Sequence, residues 1–302
     1  MLPTKEQQEH FDEQGYIVLK DVLSDELVSS LSKLFKSSEE LQLDKHFNKS
    51  QQLNRNEERL INKYNTALGI ANDHDINLVP IEEWRHTTIY WQEGFQNHPE
   101  GLNYIKMLDD TIGLNELLAT LIHSKYLQLF NVMLWKKIAQ SCDPTEVHRD
   151  YTAFNMKGLK CAVVWISPAT VRKEHGAFQV SPGSHKGVDH TTKHFMDKDY
   201  NARDKYNLVT LEIEPKDVII LDLRLVHAAT PNVSDLDRYA MTLRYLGDDM
   251  RYYNRLEAYR LSLAGKPLPN NSKYPTFIDP VAGIKDDDLF PSELYPMLWQ
   301  KN

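Results

Sequence analysis

Three residues in this chain have the types and spacing that hold a metal ion. His148 and Asp150 stand one residue apart in Glu146-Val147-His148-Arg149-Asp150, and His227 lies far downstream in Leu225-Val226-His227-Ala228-Ala229. Two imidazoles and a carboxylate form the ligand set of a mononuclear non-haem iron site. Three protein ligands on one face of an octahedron leave the other open for a chelating cosubstrate and O₂. A bare His-x-Asp means little in a chain with 12 His and 43 acidic residues, so the surroundings must carry the argument. Arg238 follows His227 after a short gap. A 2-oxo acid chelating iron through its C1 carboxylate and keto oxygen would leave a distal carboxylate, and the planar fork of an arginine suits it. The alternative for Arg238 is a surface charge beside Asp235 and Asp237.

These residues need elements to position them. Thr4 is an N-cap with Gln7 in the capping-box position, and Gly15 stops the helix they open. Tyr16-Ile17-Val18-Leu19 suits a strand. Ser24-Asp25-Glu26-Leu27 opens a second helix with Leu27, Leu31 and Leu34 on one face. Residues 38–83 are polar and weakly periodic, which reads as loop and surface helix and a candidate lid. Apolar residues at helical spacing from Leu102 to about Ser124 indicate one or two packed helices.

From about Tyr126 the texture changes to strands: Leu127–Trp135, Cys161–Ile166 and Tyr239–Tyr245 alternate, and Val218–Asp222 is a buried run. Helices first and short strands afterwards argue for an α+β, mainly β protein built around a jelly roll. In a strand, residues i and i+2 face one side, so His148 and Asp150 can both point into the barrel while Arg149 points away.

Composition narrows the function classes. A chain of 302 residues with 41% hydrophobic content can bury a sizeable core. Net charge is −8 and no basic tract is present, which disfavours nucleic-acid or anionic-membrane binding. Two cysteines, Cys142 and Cys161, do not make a disulfide framework and fit free thiols in a reducing cytosol. The N-terminus shows no apolar signal segment, and no stretch approaches the ~18 apolar residues of a membrane span. The expectation is a cytoplasmic enzyme without nucleic-acid or membrane partners.

Taken together, the motifs resemble the phytanoyl-CoA dioxygenase family of Fe(II)/2-oxoglutarate oxygenases, over nearly the whole chain. The stretch from Phe11 to Ser24 looks like the family's N-terminal element, and His148-Arg149-Asp150 matches its iron motif. The run from His175 to His185 resembles the segment ending in Pro-Gly-Ser-His. Pro215-Lys216-Asp217-Val218-Ile219-Ile220 precedes His227 where the family has a Gly-Asp and a strand. Arg238 sits at the spacing of the arginine that binds 2-oxoglutarate.

The resemblance implies a double-stranded β-helix, cupin-like, within one oxygenase domain over 1–302. Its parts are a helical N-terminal stretch and insert (1–125), a jelly-roll core (126–250) and a C-terminal extension (251–302). It further implies Fe(II) held by His148, Asp150 and His227, 2-oxoglutarate anchored by Arg238, and O₂ as the second cosubstrate. His185 resembles a ligand, but its family counterpart belongs to a structural turn. The chain departs from the family in His175, where Asn is frequent. It departs also in Ala228-Ala229, where a small polar pair is frequent, so Thr230 is the candidate for the missing hydroxyl contact. Asn131 and Trp135 are the further candidates for the cosubstrate pocket. Related halogenases lose the carboxylate ligand, and the presence of Asp150 favours hydroxylation.

Candidates for the substrate pocket are Tyr151, Phe154, Trp165 and Arg244, with Trp84-Arg85-His86 and Trp91 able to close over it. Arg149, Arg244 and Lys137 could meet an anionic group. The expected reaction is hydroxylation of a small or medium-sized metabolite. The rival readings are a cupin-type metalloenzyme that is not an oxygenase, and a family-like protein that binds without turnover.

Overall fold

The computed structural model describes residues 2–47, 88–93, 101–140, 144–192, 205–255 and 283–301. Cys142, the Trp84-Arg85-His86 run and the 48–83 part of the candidate lid lie outside the described residues. The chain opens with helix α1 (Lys5–Gln14), whose Thr4–Gln7 capping box is formed on both sides. The helix ends at Gly15, in the left-handed region at φ 80°. A Cβ there would lie 2.5 Å from His185 Nδ1, so the position requires glycine on conformational and steric grounds. The Gly15 carbonyl accepts from the Asp222 amide at 2.9 Å, which ties the helix end to a core strand.

Strand β1 (Tyr16–Leu19) follows, then helix α2 (Asp25–Phe47), whose first turn is capped by Ser24 Oγ accepting from the Leu27 amide. Leu27, Leu31 and Leu34 are buried on one face as the spacing predicts. Strand β2 (Thr88–Glu93) precedes helices α3 (Gly101–Ile112) and α4 (Leu114–Leu121), so the one or two helices expected from Leu102 to about Ser124 are two. Among the described residues no helix is long and apolar enough to cross a membrane.

The remaining strands are β3 (Tyr126–Lys137), β4 (Thr145–His148), β5 (Met156–Lys157), β6 (Cys161–Ile166), β7 (Phe178–Val180) and β8 (Val209–Leu211). They continue with β9 (Val218–Asp222), β10 (His227–Ala229), β11 (Arg238–Leu246), β12 (Arg251–Tyr252) and β13 (Met297–Gln300). A large sheet runs β1-β9-β6-β11-β3-β13, with β2 also on β3. A smaller sheet runs β4-β10-β7-β8. The pairings are antiparallel, as a jelly roll requires. Strands from both ends of the chain, β1 and β13, join the same large sheet as the core strands.

The alternation read in β6 and β11 is not a water-facing alternation. Ala162, Val164, Ile166, Met241, Leu243 and Tyr245 face one core, shared with α1–α4. Cys161, Val163, Trp165, Ala240 and Leu246 face the other, between the two sheets. Helices cover one face and the small sheet the other, so β6 and β9 are buried along their length. In β3 the period slips once. Arg244 pairs with Asn131 and Tyr245 with Leu129, leaving Phe130 bulged between them. This bulge turns Asn131, Met133 and Trp135 inward while Leu127 and Leu129 face the helices.

Candidate metal centre and its surroundings

The small sheet brings the two histidines together. His227, the first residue of β10, is the direct cross-strand partner of His148, the last of β4. Their rings lie 4.2 Å apart by centroid. Asp150 joins them by a different route from the one expected. β4 ends at His148, and Asp150 sits at φ −62°, ψ −40° at the head of the 3₁₀ turn Tyr151–Ala153. The turn is pinned by the Tyr151 amide donating to the Leu223 carbonyl at 3.0 Å. Strand alternation therefore does not place Asp150; the tight turn after the strand does.

The resulting group of His148, Asp150 and His227 offers one ligand atom each, all within 4.8 Å of one another. Asp150 Oδ1 lies 3.4 Å from His148 Nε2 and 3.7 Å from His227 Nε2. Donors bonded at about 2.0–2.2 Å and at right angles on one ion lie about 3 Å apart, so a small inward movement on binding satisfies the geometry. His227 Nδ1 lies 3.1 Å from the Leu225 carbonyl, which fixes that nitrogen as the N–H and leaves Nε2 as the ligand atom. The sequence did not disclose this contact. Phe178, on β7, stacks on the other side of His227 at 5.2 Å and 16°. His148 is the open member, with its side chain 28% exposed, so the accessible side of the group lies beside it.

Electrostatics suit a cation. Burial lowers the His227 pKa to about 3, with the neighbouring His148 acting in the same direction, so the imidazole is neutral and able to ligate. Burial alone would raise the Asp150 pKa. The Arg244 guanidinium, followed by His227 and His148, outweighs it and holds the carboxyl well below its usual range. The metal-free protein should lose stability in acid. The unfolded chain takes up a proton on His227 below the ordinary value of 6.5 whereas the folded chain resists it down to about 3. The unfolded state thus binds more protons in that window. Stability falls there by up to about 1.4 kcal/mol per pH unit from this group. Chemical denaturation of metal-free protein at pH 7 and pH 5 measures it, and equal stabilities would contradict the burial of a neutral His227.

Arg238 is no surface charge. It is 7% exposed, and its guanidinium lies 5.5 Å over the Trp165 ring. Asp237 is taken by Lys136 and by the Ala139 amide. Among the described residues Arg238 Nε has no hydrogen-bond partner, and burial lowers its pKa to about 10 with no acid among them offsetting the loss of water. A buried arginine without an acid is costly unless an anion arrives from outside.

The other candidates divide. Trp165 is 3% exposed and lies between Arg238 and Phe178. Trp135 Nε1 donates to Thr242 Oγ1 at 2.9 Å, and Asn131 Oδ1 accepts from Arg244 Nη1 at 3.2 Å. Thr230 Oγ1 donates its one proton to the Lys173 carbonyl, so it can only accept from a further group. Tyr151 is fully buried in the inter-sheet core, its ring under the Arg255 guanidinium at 5.4 Å. Phe154 packs edge-on against Phe130 and lies 5.3 Å under Arg244.

The three cations expected as candidates to meet an anionic group each have a partner within the protein. Arg244 Nε donates to Asp150 Oδ2 at 2.8 Å. Lys137 is fully buried and donates to Thr145 Oγ1, while Arg149 donates to the Ser184 carbonyl. His185 lies 3.3 Å from the Asp12 carbonyl against the end of α1, in a structural position as expected.

Known proteins resemble this chain in sequence and fold. Residues 11–240 match the model of the phytanoyl-CoA dioxygenase (PhyH) family. A Dictyostelium discoideum phytanoyl-CoA dioxygenase domain-containing protein 1 homolog is 29% identical over 120 residues, which span 34% of this chain and 41% of that relative. Among solved structures, the non-heme alpha-ketoglutarate-dependent carbocyclase SnoK from nogalamycin biosynthesis superposes with TM-score 0.65 at 20% identity, covering 98% of this chain and 97% of SnoK. The epimerase SnoN, solved with Fe³⁺, alpha-ketoglutarate and nogalamycin RO, gives 0.61 at 17% identity, covering 97% of each chain. EctD from S. alaskensis, with 2-oxoglutarate and 5-hydroxyectoine, gives 0.53 at 20%, covering 81% of this chain and 76% of EctD. These likenesses show the double-stranded β-helix fold. With the family match over most of its length and the His-Asp-His group assembled, the chain belongs to the phytanoyl-CoA dioxygenase family of Fe(II)/2-oxoglutarate-dependent oxygenases.

Proposed function

We propose that this protein, as one oxygenase domain over 1–302, hydroxylates an unactivated C–H bond of a small or medium-sized metabolite in the cytoplasm. His148, Asp150 and His227 would hold Fe(II) through two imidazole nitrogens and one carboxylate. Bound Fe(II) with 2-oxoglutarate would supply O₂ activation coupled to oxidative decarboxylation, releasing succinate and CO₂.

The observation that carries the proposal is a pair: a three-donor group with one open side, and a buried cation, Arg238, with no anion partner among the described residues. Arg238 binds the distal carboxylate of 2-oxoglutarate. Trp165 and Trp135 wall the pocket, and Asn131 and Thr230 shape it, with Asn131 Oδ1 already accepting from Arg244 and the Thr230 hydroxyl proton already given to Lys173. Phe154 belongs to the substrate side through its contact with Arg244, and Tyr151 supports that side from the core. Phe178 and Trp165 keep water from the buried side of His227, so the imidazole stays neutral and aimed. The presence of Asp150 supports hydroxylation over halogenation. SnoN and EctD, whose structures hold a small organic molecule, support a metabolite as substrate.

An anaerobic titration of metal-free protein with Fe(II) and then 2-oxoglutarate tests the centre. A visible metal-to-ligand charge-transfer band is expected, and it is absent in His148→Ala. Iron binding without a band would favour a cupin-type enzyme that is not an oxygenase. No iron binding would favour a protein that binds without turnover. The substrate class is tested by screening metabolites with a polar handle for stoichiometric succinate release and a product carrying one added oxygen. Turnover with acyl-CoA thioesters alone would refute it.

A further inference from the structure

We infer that Arg244 is a positioning residue of the metal centre, setting how Asp150 presents its carboxylate; this rests on the iron-site reading above. The two oxygens of Asp150 have separate partners. Oδ1 faces the imidazoles, 3.4 Å from His148 Nε2 and 3.7 Å from His227 Nε2. Oδ2 is held at 2.8 Å by Arg244 Nε. A carboxylate so held offers a metal one oxygen and keeps the second turned away, which leaves coordination positions open for cosubstrate. Asp150 needs such a partner because its turn gives it none: it heads the 3₁₀ segment with no side-chain capping bond, beyond the end of β4.

Arg244 is itself fixed. Its Nη1 contacts Asn131 Oδ1 at 3.2 Å, Thr242 Oγ1 at 3.4 Å and Met133 Sδ. Phe154 lies 5.3 Å beneath the guanidinium, and the residue is 4% exposed. Asn131 is its direct cross-strand partner on β3, brought inward by the bulge at Phe130. The large sheet thereby orients a ligand displayed beside the small one. A planar guanidinium whose Nε and Nη1 are already engaged acts as a spacer for Asp150.

The test uses the metal alone. Anaerobic Fe(II) titration is compared for the wild type, Arg244→Met, Arg244→Lys and Asn131→Ala, each checked for fold by circular dichroism, with the electron paramagnetic resonance of the nitric oxide adduct as a second readout. Loss of an outer partner of a ligand typically weakens metal binding about 10–100-fold, and that is expected of Arg244→Met. Lysine should restore part of the affinity through its own N–H donors, and Asn131→Ala should weaken binding less but change the same resonance. Folded Arg244→Met with wild-type affinity and an unchanged resonance would overturn the assignment. Should Arg244→Met not fold, wild-type affinity and resonance in both of the other variants would overturn it. A wild type that binds no Fe(II) would instead remove the iron-site reading itself.

Discussion

Asp150→Ala should bind no iron and should also be less stable than the wild type before any metal is added. Iron loses its one anionic protein ligand, and the two imidazoles that remain do not make a competent site. The second effect comes from Arg244, 4% exposed and paired with Asp150 at 2.8 Å. Breaking a buried pair by removing one partner typically costs about 3–5 kcal/mol, because the other charge is left uncompensated. His148→Ala makes the contrast: its side chain is 28% exposed, so it should lose the charge-transfer band with a much smaller stability cost. Asp150→Asn keeps an acceptor for Arg244 and should fall between. Iron stoichiometry together with denaturant unfolding of the three variants measures both effects. Equal stability of Asp150→Ala and His148→Ala would show that Asp150 and Arg244 are not a buried pair in solution.

Arg238→Met should behave in the opposite sense: it should disable cosubstrate use and stabilise the metal-free protein. The wild type buries this guanidinium with an unpaired Nε and no acid nearby among the described residues, and burial has already lowered its pKa to about 10. Methionine fills the space over Trp165 without that desolvation. Replacing buried charge by an apolar side chain of similar volume is often neutral or stabilising by roughly 1–4 kcal/mol. The cosubstrate loses a charge-assisted contact, and truncating one partner of a buried charge pair costs about 2–5 kcal/mol, or on the order of 30- to 5,000-fold in 2-oxoglutarate requirement. Fe(II) affinity without cosubstrate should be unchanged, which separates this variant from those at Asp150 and Arg244. Thermal unfolding of metal-free protein and a 2-oxoglutarate titration of the band measure the two halves. Unchanged cosubstrate dependence would refute the role of Arg238, and a large loss of stability would mean that an internal partner satisfies it.

Some of this was written in local sequence. The Thr4–Gln7 box, the Gly15 stop, the Leu27–Leu31–Leu34 face and the strands at Cys161–Ile166 and Val218–Asp222 depend on neighbours within a few residues, and the structure keeps them. Short-range chemistry also named His148, Asp150, His227 and Arg238. One further signal is legible in the sequence. Arg238 and Arg244 are six apart on β11, an even spacing that puts both on one face of a strand. Their opposite fates, one unpaired and one spent on Asp150, were not legible, because the partner of Arg244 lies 94 residues away.

The sequence by itself determined which side chains could bind iron and a 2-oxo acid, because ligand identity and charge are properties of residue type. Tertiary structure alone decided where each one points. It set the 3₁₀ turn that carries Asp150, the bulge at Phe130 that turns Asn131 toward Arg244, and the carbonyl of Leu225 beside His227 Nδ1. It also decided that a strand alternating in sequence would be buried on both faces, since helices and a second sheet cover it. The reason is physical. A hydrogen bond or a desolvated charge depends on which distant group reaches within about 3 Å, and spacing along the chain does not encode that distance.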